Sequence, residues 1–483
     1  MPKKHRHPGY SGSRFEPSDS PDYVVAELRY DSGVAIAAGK RGGFAALAAA
    51  EAKASALNDI LSGFELKRVA SHFDLPETNL ASRTRAVKSP TATVESDYAL
   101  GGFVQIVPKR PGDAKKIAAR LARSRSVWQA YVAPRPEPAA MNEGAMIGSR
   151  NFEPAQGYLH SAPNGIGAMH VWPKRGGKGR GVRICDIEGN WNFKHEDLPK
   201  VPLLGGTLVT SPGWKDHGTA VLGEMVSRPG DVGTVGIAHE ASAAVHSFRI
   251  GGVDNTAGAI LGAAAKLKRG DVILIELHAP GPTGNYVAMQ YWDDVFAAIR
   301  TAVDRGIVVV EAAGNGGENF DAPIYTGTGL QKDSGAIVVG AGIPPTDFFD
   351  AFGFPPTFKP YTWIGVQRSR IWFSNYGKIV NVQGWGWHVT SCGYGDAQGG
   401  SGGKENAWYT HRFSGTSSAS PIVTGAAAVL QGVSLAKNGG PLPPAQVRDI
   451  LVKTGTPQVA GPGVPLSQHI GPLPNLAKAV LYV

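Results

Sequence analysis

From about residue 155 onward, apolar runs of strand length alternate with segments long enough for a helix. The runs are VRICDI (182–187), AAVHSFRI (243–250), DVILIEL (271–277), GIVVVEAAG (306–314) and GAIVVGAG (335–342). Strands this apolar are buried on both faces, and strands joined by helical crossovers run parallel. The pattern predicts one α/β unit, a parallel sheet with helices on both faces. In such sheets reactive groups gather beyond the carboxyl ends of the strands, so polar residues there are the first candidates for chemistry.

The front of the chain has a different rhythm. Residues 1–20 are polar and rich in Ser, Pro and Gly and predict a flexible tail. YVVAELRY (23–30) reads as a strand and Phe44 to Leu61 as an Ala-rich helix. GGFVQIVP (101–108), DAKKIAARLARS (113–124) and VWQAYVAP (127–134) then read as strand, helix and strand. The Pro-rich segment from residue 134 predicts a linker. The expected divisions are a tail over 1–20, a smaller α/β domain over 21–133, a linker over 134–154 and the larger α/β domain over 155–483.

Charge and cysteine content exclude several classes of function. Residues 1–150 hold 22 Lys+Arg against 15 Asp+Glu and so carry most of the +9 formal charge. No nucleic-acid motif accompanies them, so neither a nucleic-acid nor a membrane partner is expected. Two cysteines, Cys185 and Cys392, are too few for a disulfide framework and fit a reducing compartment. With no apolar leader after the basic start, the expectation is a cytoplasmic protein, with unconventional export left open.

Three segments carry the chemistry. FSGTSSASPIVTGAAAVL (413–430) sets Ser417 in a Gly/Thr turn before a helix, with Pro421 expected in its first turn. DHGTAVLGEMV (216–226) places His217 at a helix start, and GVRICD (181–186) ends an apolar strand in Asp186, with HEDL downstream. A fourth, GIVVVEAAGNGG (306–317), ends a strand in Asn315. Together these resemble the subtilisin-like serine proteases, the subtilase family or peptidase family S8, over roughly residues 155 to 483. The order Asp, His, Ser agrees with that family.

The resemblance implies a serine endopeptidase in which Ser417 is the nucleophile, His217 the general base and Asp186 the carboxylate that orients it. Asn315 then joins the Ser417 N–H in the oxyanion hole. The family usually continues the aspartate with Ser or Thr and Gly; here Ile187 and Glu188 follow, which makes Glu188 a rival carboxylate. The resemblance also puts Glu276, Leu277, His278, Ala313 and Gly314 along the substrate cleft, with Glu276 and His278 replacing the small residues usual there. A carboxylate at that wall favours basic or small substrate side chains unless it pairs within the enzyme. No cofactor is required; calcium is frequent in the family, but no ligand spacing for it is readable, so the metal content stays unknown.

The implied partners are a protein or peptide substrate and the chain's own N-terminal region as a pro-domain-like inhibitor. Two competing expectations remain: a catalytically weakened subtilisin-fold binding protein, and an N-terminal nucleic-acid module that recruits a peptidase.

Overall fold

The computed structural model describes residues 21–29, 34–36, 44–46, 51–72, 102–110, 112–138, 151–211, 213–345, 365–399 and 405–483. The expected tail over 1–20 and residues 139–150 of the expected linker lie outside them.

The N-terminal sheet is built from β1 (Val24–Leu28), β2 (Leu66–Ser71), β3 (Phe103–Pro108) and β4 (Val127–Val132), antiparallel in the order β2-β3-β1-β4. Helices α1 (Glu51–Ser62) and α2 (Asp113–Leu121) complete a β-α-β-β-α-β plan. The helix expected over 44–61 begins only at Glu51, because Phe44–Ala46 pair with Val34–Ile36 in a short hairpin.

Period-two alternation gives this sheet two apolar faces. Val24, Ala26, Leu28, Val104 and Ile106 pack on Leu57, Leu61, Ile117 and Leu121 of the two helices. Tyr23, Val25, Phe103 and Val107 join the core of the larger unit instead. Burying Val25, Phe103 and Val107 is worth about 1.5–3 kcal/mol each, against about 0.5–1.5 kcal/mol for a typical hydrogen bond. The apolar face therefore dominates the join, and polar pairs fix its register: His72 Nε2 to Asp294 Oδ2 at 2.7 Å and Tyr131 Oη to Asp294 Oδ1 at 2.7 Å.

After β4 the chain forms a two-residue strand, β5 (Glu137–Pro138). The larger unit is a seven-stranded parallel sheet of β6 (Arg183–Glu188), β7 (Leu203–Gly205), β8 (Ser242–Ser247), β9 (Val272–Ile275), β12 (Val308–Ala312), β13 (Ile337–Gly342) and β14 (Val380–Trp385). Its order is β14-β13-β12-β9-β6-β8-β7. Between β9 and β12 the chain forms a hairpin, β10 (Leu277–Pro280) and β11 (Tyr286–Ala288), outside the main sheet.

One face of the large sheet is covered by α3 (Trp214–Val226), α6 (Thr416–Asn438) and α7 (Pro444–Thr454), the other by α4 (Thr256–Ala264) and α5 (Asp293–Asp304). Along β6, Ile184 faces the first layer while Cys185 and Ile187 face the second. Helix α6 is long and apolar enough to cross a membrane, but its most apolar stretch is 89% buried against the sheet, as the central helix of a core is. Both cysteines are free and buried, so Cys392 offers no exposed thiol.

Candidate active site

Strand β6 runs two residues past Asp186 and ends at Glu188. Residues 184, 186 and 188 point to one face of the sheet, the face that α3 covers. Both carboxyl groups therefore look toward His217, and only the one nearer the strand end reaches it. His217 Nδ1 lies 2.8 Å from Glu188 Oε2, and both side chains are fully buried. Asp186, expected on the imidazole, instead accepts a hydrogen bond from Trp191 Nε1 at 2.7 Å. The expectation fails because it ended the strand two residues early. Gly189 follows Glu188 directly and packs against Trp214, where a Cβ would meet the indole ring at 2.7 Å.

Helix α6 begins at Thr416, preceded by Gly415 at φ +105°, a conformation that favours glycine. Ser417 thus sits in the first turn, where backbone N–H groups have no intrahelical acceptor. Pro421 is not in that turn but is the sixth helical residue, and its missing N–H leaves the Ser417 carbonyl without its usual donor. Asn315 follows β12, and its Oδ1 accepts from Thr416 N and from Thr416 Oγ1, each at 3.0 Å. That fixes the amide with Nδ2 as its donor end. Gly314 N donates to Thr416 Oγ1 at 3.2 Å, tying the Asn315 loop to the start of α6. His217 Nε2 and Ser417 Oγ are both buried without a hydrogen-bond partner among the described residues.

The family model described as "Subtilase family" matches residues 205–471, more than half of the chain. This chain belongs to the subtilase family. The match takes in His217, Asn315 and Ser417 but starts downstream of both Asp186 and Glu188, so the choice of carboxylate rests on geometry alone. The subtilase is 23% identical to the major intracellular serine protease of Bacillus subtilis (strain 168) over 56% of this chain and 76% of that one. It is 26% identical to subtilisin NAT of Bacillus subtilis subsp. natto over 62% and 68%. Fervidolysin from Fervidobacterium pennivorans, described as a keratinolytic enzyme related to subtilisin, shares the fold. It superposes on 97% of this chain and 62% of its own with a TM-score of 0.53, at 16% identity. The subtilase is a serine endopeptidase acting on proteins or peptides.

The residues expected along the substrate cleft have different fates. Leu277 and His278 lie on β10, and β5 pairs antiparallel with that strand, Pro138 opposite Leu277 and Glu137 opposite His278. The His278 ring stacks on Tyr286 at 4.0 Å between centroids, and His278 Nδ1 accepts from Asn315 N at 3.3 Å. Tyr286 Oη in turn donates to Glu137 Oε2 at 2.6 Å. Ala313 and Gly314 are clamped by Asn375, whose Nδ2 donates to the Ala313 carbonyl at 2.7 Å and would meet a Cβ on Gly314 at 2.9 Å. Leu277, His278 and Ala313 are buried, and so is Glu276. The Glu276 side chain lies beneath α6, in contact with Ser420 rather than facing a cleft wall, because it falls between β9 and β10 and is directed inward. No group of three or more His, Cys, Asp or Glu able to hold a metal occurs among the described residues.

Burial governs the electrostatics. Asp186, Glu188, Glu224 and Glu276 are all pushed well above the usual carboxylate range, chiefly by desolvation. His217, His278 and His388 are pushed down to about 3 by the same cause. Elsewhere Glu311 is raised to about 8 and Glu27 to about 7, again by burial.

These shifts set the sign of the pH dependence of stability. Below about 6.5, the ordinary histidine value, the unfolded chain protonates histidines that the native state keeps neutral down to about 3, so stability falls with falling pH. Above 4.5 the native state keeps protons on carboxyl groups that the unfolded chain has lost, so these groups lose stability as pH rises toward 8. The two trends oppose each other between 4.5 and 6.5; above that the carboxyl groups, joined near pH 9 by the buried Cys185 and Cys392 thiols, act in one direction. The thermal midpoint is therefore expected to peak on the acid side of neutrality and to fall between pH 7 and 9. Thermal denaturation across that range checks it, and a midpoint that climbs from pH 7 to 9 contradicts it.

Proposed function

We propose that the subtilase cleaves peptide bonds through an acyl-enzyme on Ser417, with His217 as general base and Glu188, not Asp186, as the orienting carboxylate. The observation that carries this reading is the Glu188 contact on His217 Nδ1, which leaves Nε2 as the working nitrogen. Ser417 Oγ attacks the scissile carbonyl carbon and its proton passes to Nε2. The oxyanion takes hydrogen bonds from the Ser417 N–H and Asn315 Nδ2. The C–N bond breaks as Nε2 returns the proton to the leaving amine, and water repeats the sequence to release the acid. Glu188 holds the tautomer and offsets the imidazolium that forms.

A fluorophosphonate probe tests the assignment, since it reacts only with an activated serine. Labelling that disappears in Ser417→Ala is expected. Folded protein that takes no label at any pH, before or after removal of the N-terminal region, would favour the catalytically weakened binding protein.

Residues 21–133, with the linker from 134 to 154, act in this reading as an inhibitor of the chain's own cleft. The support is the pairing of Glu137 and Pro138 with β10 and the Glu137 contact on Tyr286, close to the His278 ring that accepts from Asn315 N. A tethered inhibitor enjoys a high effective concentration. Residues 151–483 produced alone are expected to hydrolyse peptides and to be inhibited by added fragment 1–150. Activity untouched by the fragment contradicts this.

A further inference from the structure

The Ser420 hydroxyl makes two short contacts: its Oγ lies 2.6 Å from Glu276 Oε2 and 2.7 Å from the Thr416 carbonyl oxygen. A serine hydroxyl has one proton to give, and a carbonyl has none. One proton shared between the two oxygens would leave both bonds weak, whereas a proton on Glu276 completes both. With that proton in place the carboxyl group donates to Ser420 Oγ, and Ser420 donates to the Thr416 carbonyl.

The surroundings agree with a neutral acid. Glu276 is fully buried, and the titratable groups facing it are Asp186 and Glu188 from β6 and Glu224 from α3, all of them acidic. From α6 it is faced by Ser420 and by Ser417, whose hydroxyl lies close by without forming a well-aligned hydrogen bond.

The chain of contacts continues to the oxyanion site. Thr416, whose carbonyl Ser420 holds, gives both its N–H and its hydroxyl proton to Asn315 Oδ1. We propose that Glu276 works as a neutral carboxylic acid which, through Ser420 and Thr416, holds the Asn315 amide in the orientation that meets the oxyanion. It is a positioning residue, and the inference rests on the roles given above to Ser417 and Asn315. Loss of its proton would turn the donor into an acceptor, draw the Ser420 proton away from Thr416 and loosen the first turn of α6. Turnover would then fall on the alkaline side.

The test produces each protein as the full chain, brings all of them to the same state of N-terminal processing, and measures kcat and KM on a peptide substrate for the wild type, Glu276→Ala, Glu276→Gln, Ser420→Ala, Asn315→Ala and the double variant Glu276→Ala/Asn315→Ala. Misplacing a catalytic donor by about an ångström costs on the order of 100-fold, so Glu276→Ala is expected to lower kcat by roughly 10- to 100-fold with KM little changed. Glu276→Gln, whose amide donates without titrating, is expected to recover most of that loss and to flatten the alkaline fall. In the Asn315→Ala background Glu276→Ala is expected to cost nothing further, because the group it positions is gone.

Ser420→Ala carries the same expectation if Glu276→Ala fails to fold. The relay is overturned if Glu276→Gln is as damaged as Glu276→Ala, or if the two losses simply multiply in the double variant. A kcat that Asn315→Ala leaves unmoved sinks the oxyanion assignment and the relay together, whereas a kcat lowered by Asn315→Ala with multiplying losses sinks the relay alone.

Discussion

Ser417→Ala is expected to lower kcat by about a million-fold, the scale of loss that removing the nucleophile causes in subtilisin itself. Removing Oγ removes the attacking atom, and no other hydroxyl can replace it. Ser418 Oγ donates to the Trp385 carbonyl, and Ser420 is engaged with Glu276 and Thr416. The remaining rate comes from the oxyanion donors acting on water-mediated hydrolysis. Because Ser417 and His217 act as a unit, Ser417→Ala/His217→Ala is expected to be no worse than Ser417→Ala. Single-turnover assays of the two variants check this, and a further large loss in the double variant would mean that His217 serves some other nucleophile.

Glu188→Gln is expected to lower kcat about ten-thousand-fold, the scale seen when the orienting carboxylate of a serine triad becomes an amide. An amide can turn its N–H₂ toward Nδ1. That makes Nδ1 the acceptor and puts the ring proton on Nε2, where it blocks removal of the Ser417 proton. The shape of the site is kept, so KM is expected to change little. The buried imidazolium that forms during attack also loses the only carboxylate in contact with it among the described residues, a second cost in a site that excludes water.

Much of this architecture is legible in the sequence, for physical reasons. A parallel sheet buried on both faces writes itself as Val/Ile-rich runs, and each of the five recognised runs overlaps a strand of the large sheet. The segments that point to Ser417 and Asn315 are legible because their glycines, Gly415 at φ +105° and Gly314 at φ +90°, are required by the backbone.

The carboxylate is not. Two acidic residues two apart on a strand share a face, so composition and periodicity rank them equally, and only the strand end decides. That end is set by Gly189 turning against Trp214 and by parallel pairing of Glu188 with Ser247, which are tertiary facts. Glu276 is hidden for a similar reason. A carboxylate beside a cleft strand looks exposed in sequence, whereas the side chain points inward under α6 and its partners, Ser420 and Thr416, are more than 130 residues away. Pro421 looks like a helix start because the real start, five residues earlier, lacks a side-chain cap.

In the proposed mechanism the triad of this subtilase uses Glu188 at the end of β6. Comparing kcat of Glu188→Gln and Asp186→Asn under identical conditions tests it most directly. Asp186 is engaged with Trp191 Nε1 and not with the imidazole, and an asparagine keeps an oxygen for that contact. Asp186→Asn is therefore expected to stay within about ten-fold of the wild type, while Glu188→Gln falls about ten-thousand-fold. The reverse order, with Asp186→Asn inactive and Glu188→Gln near normal, would contradict the account.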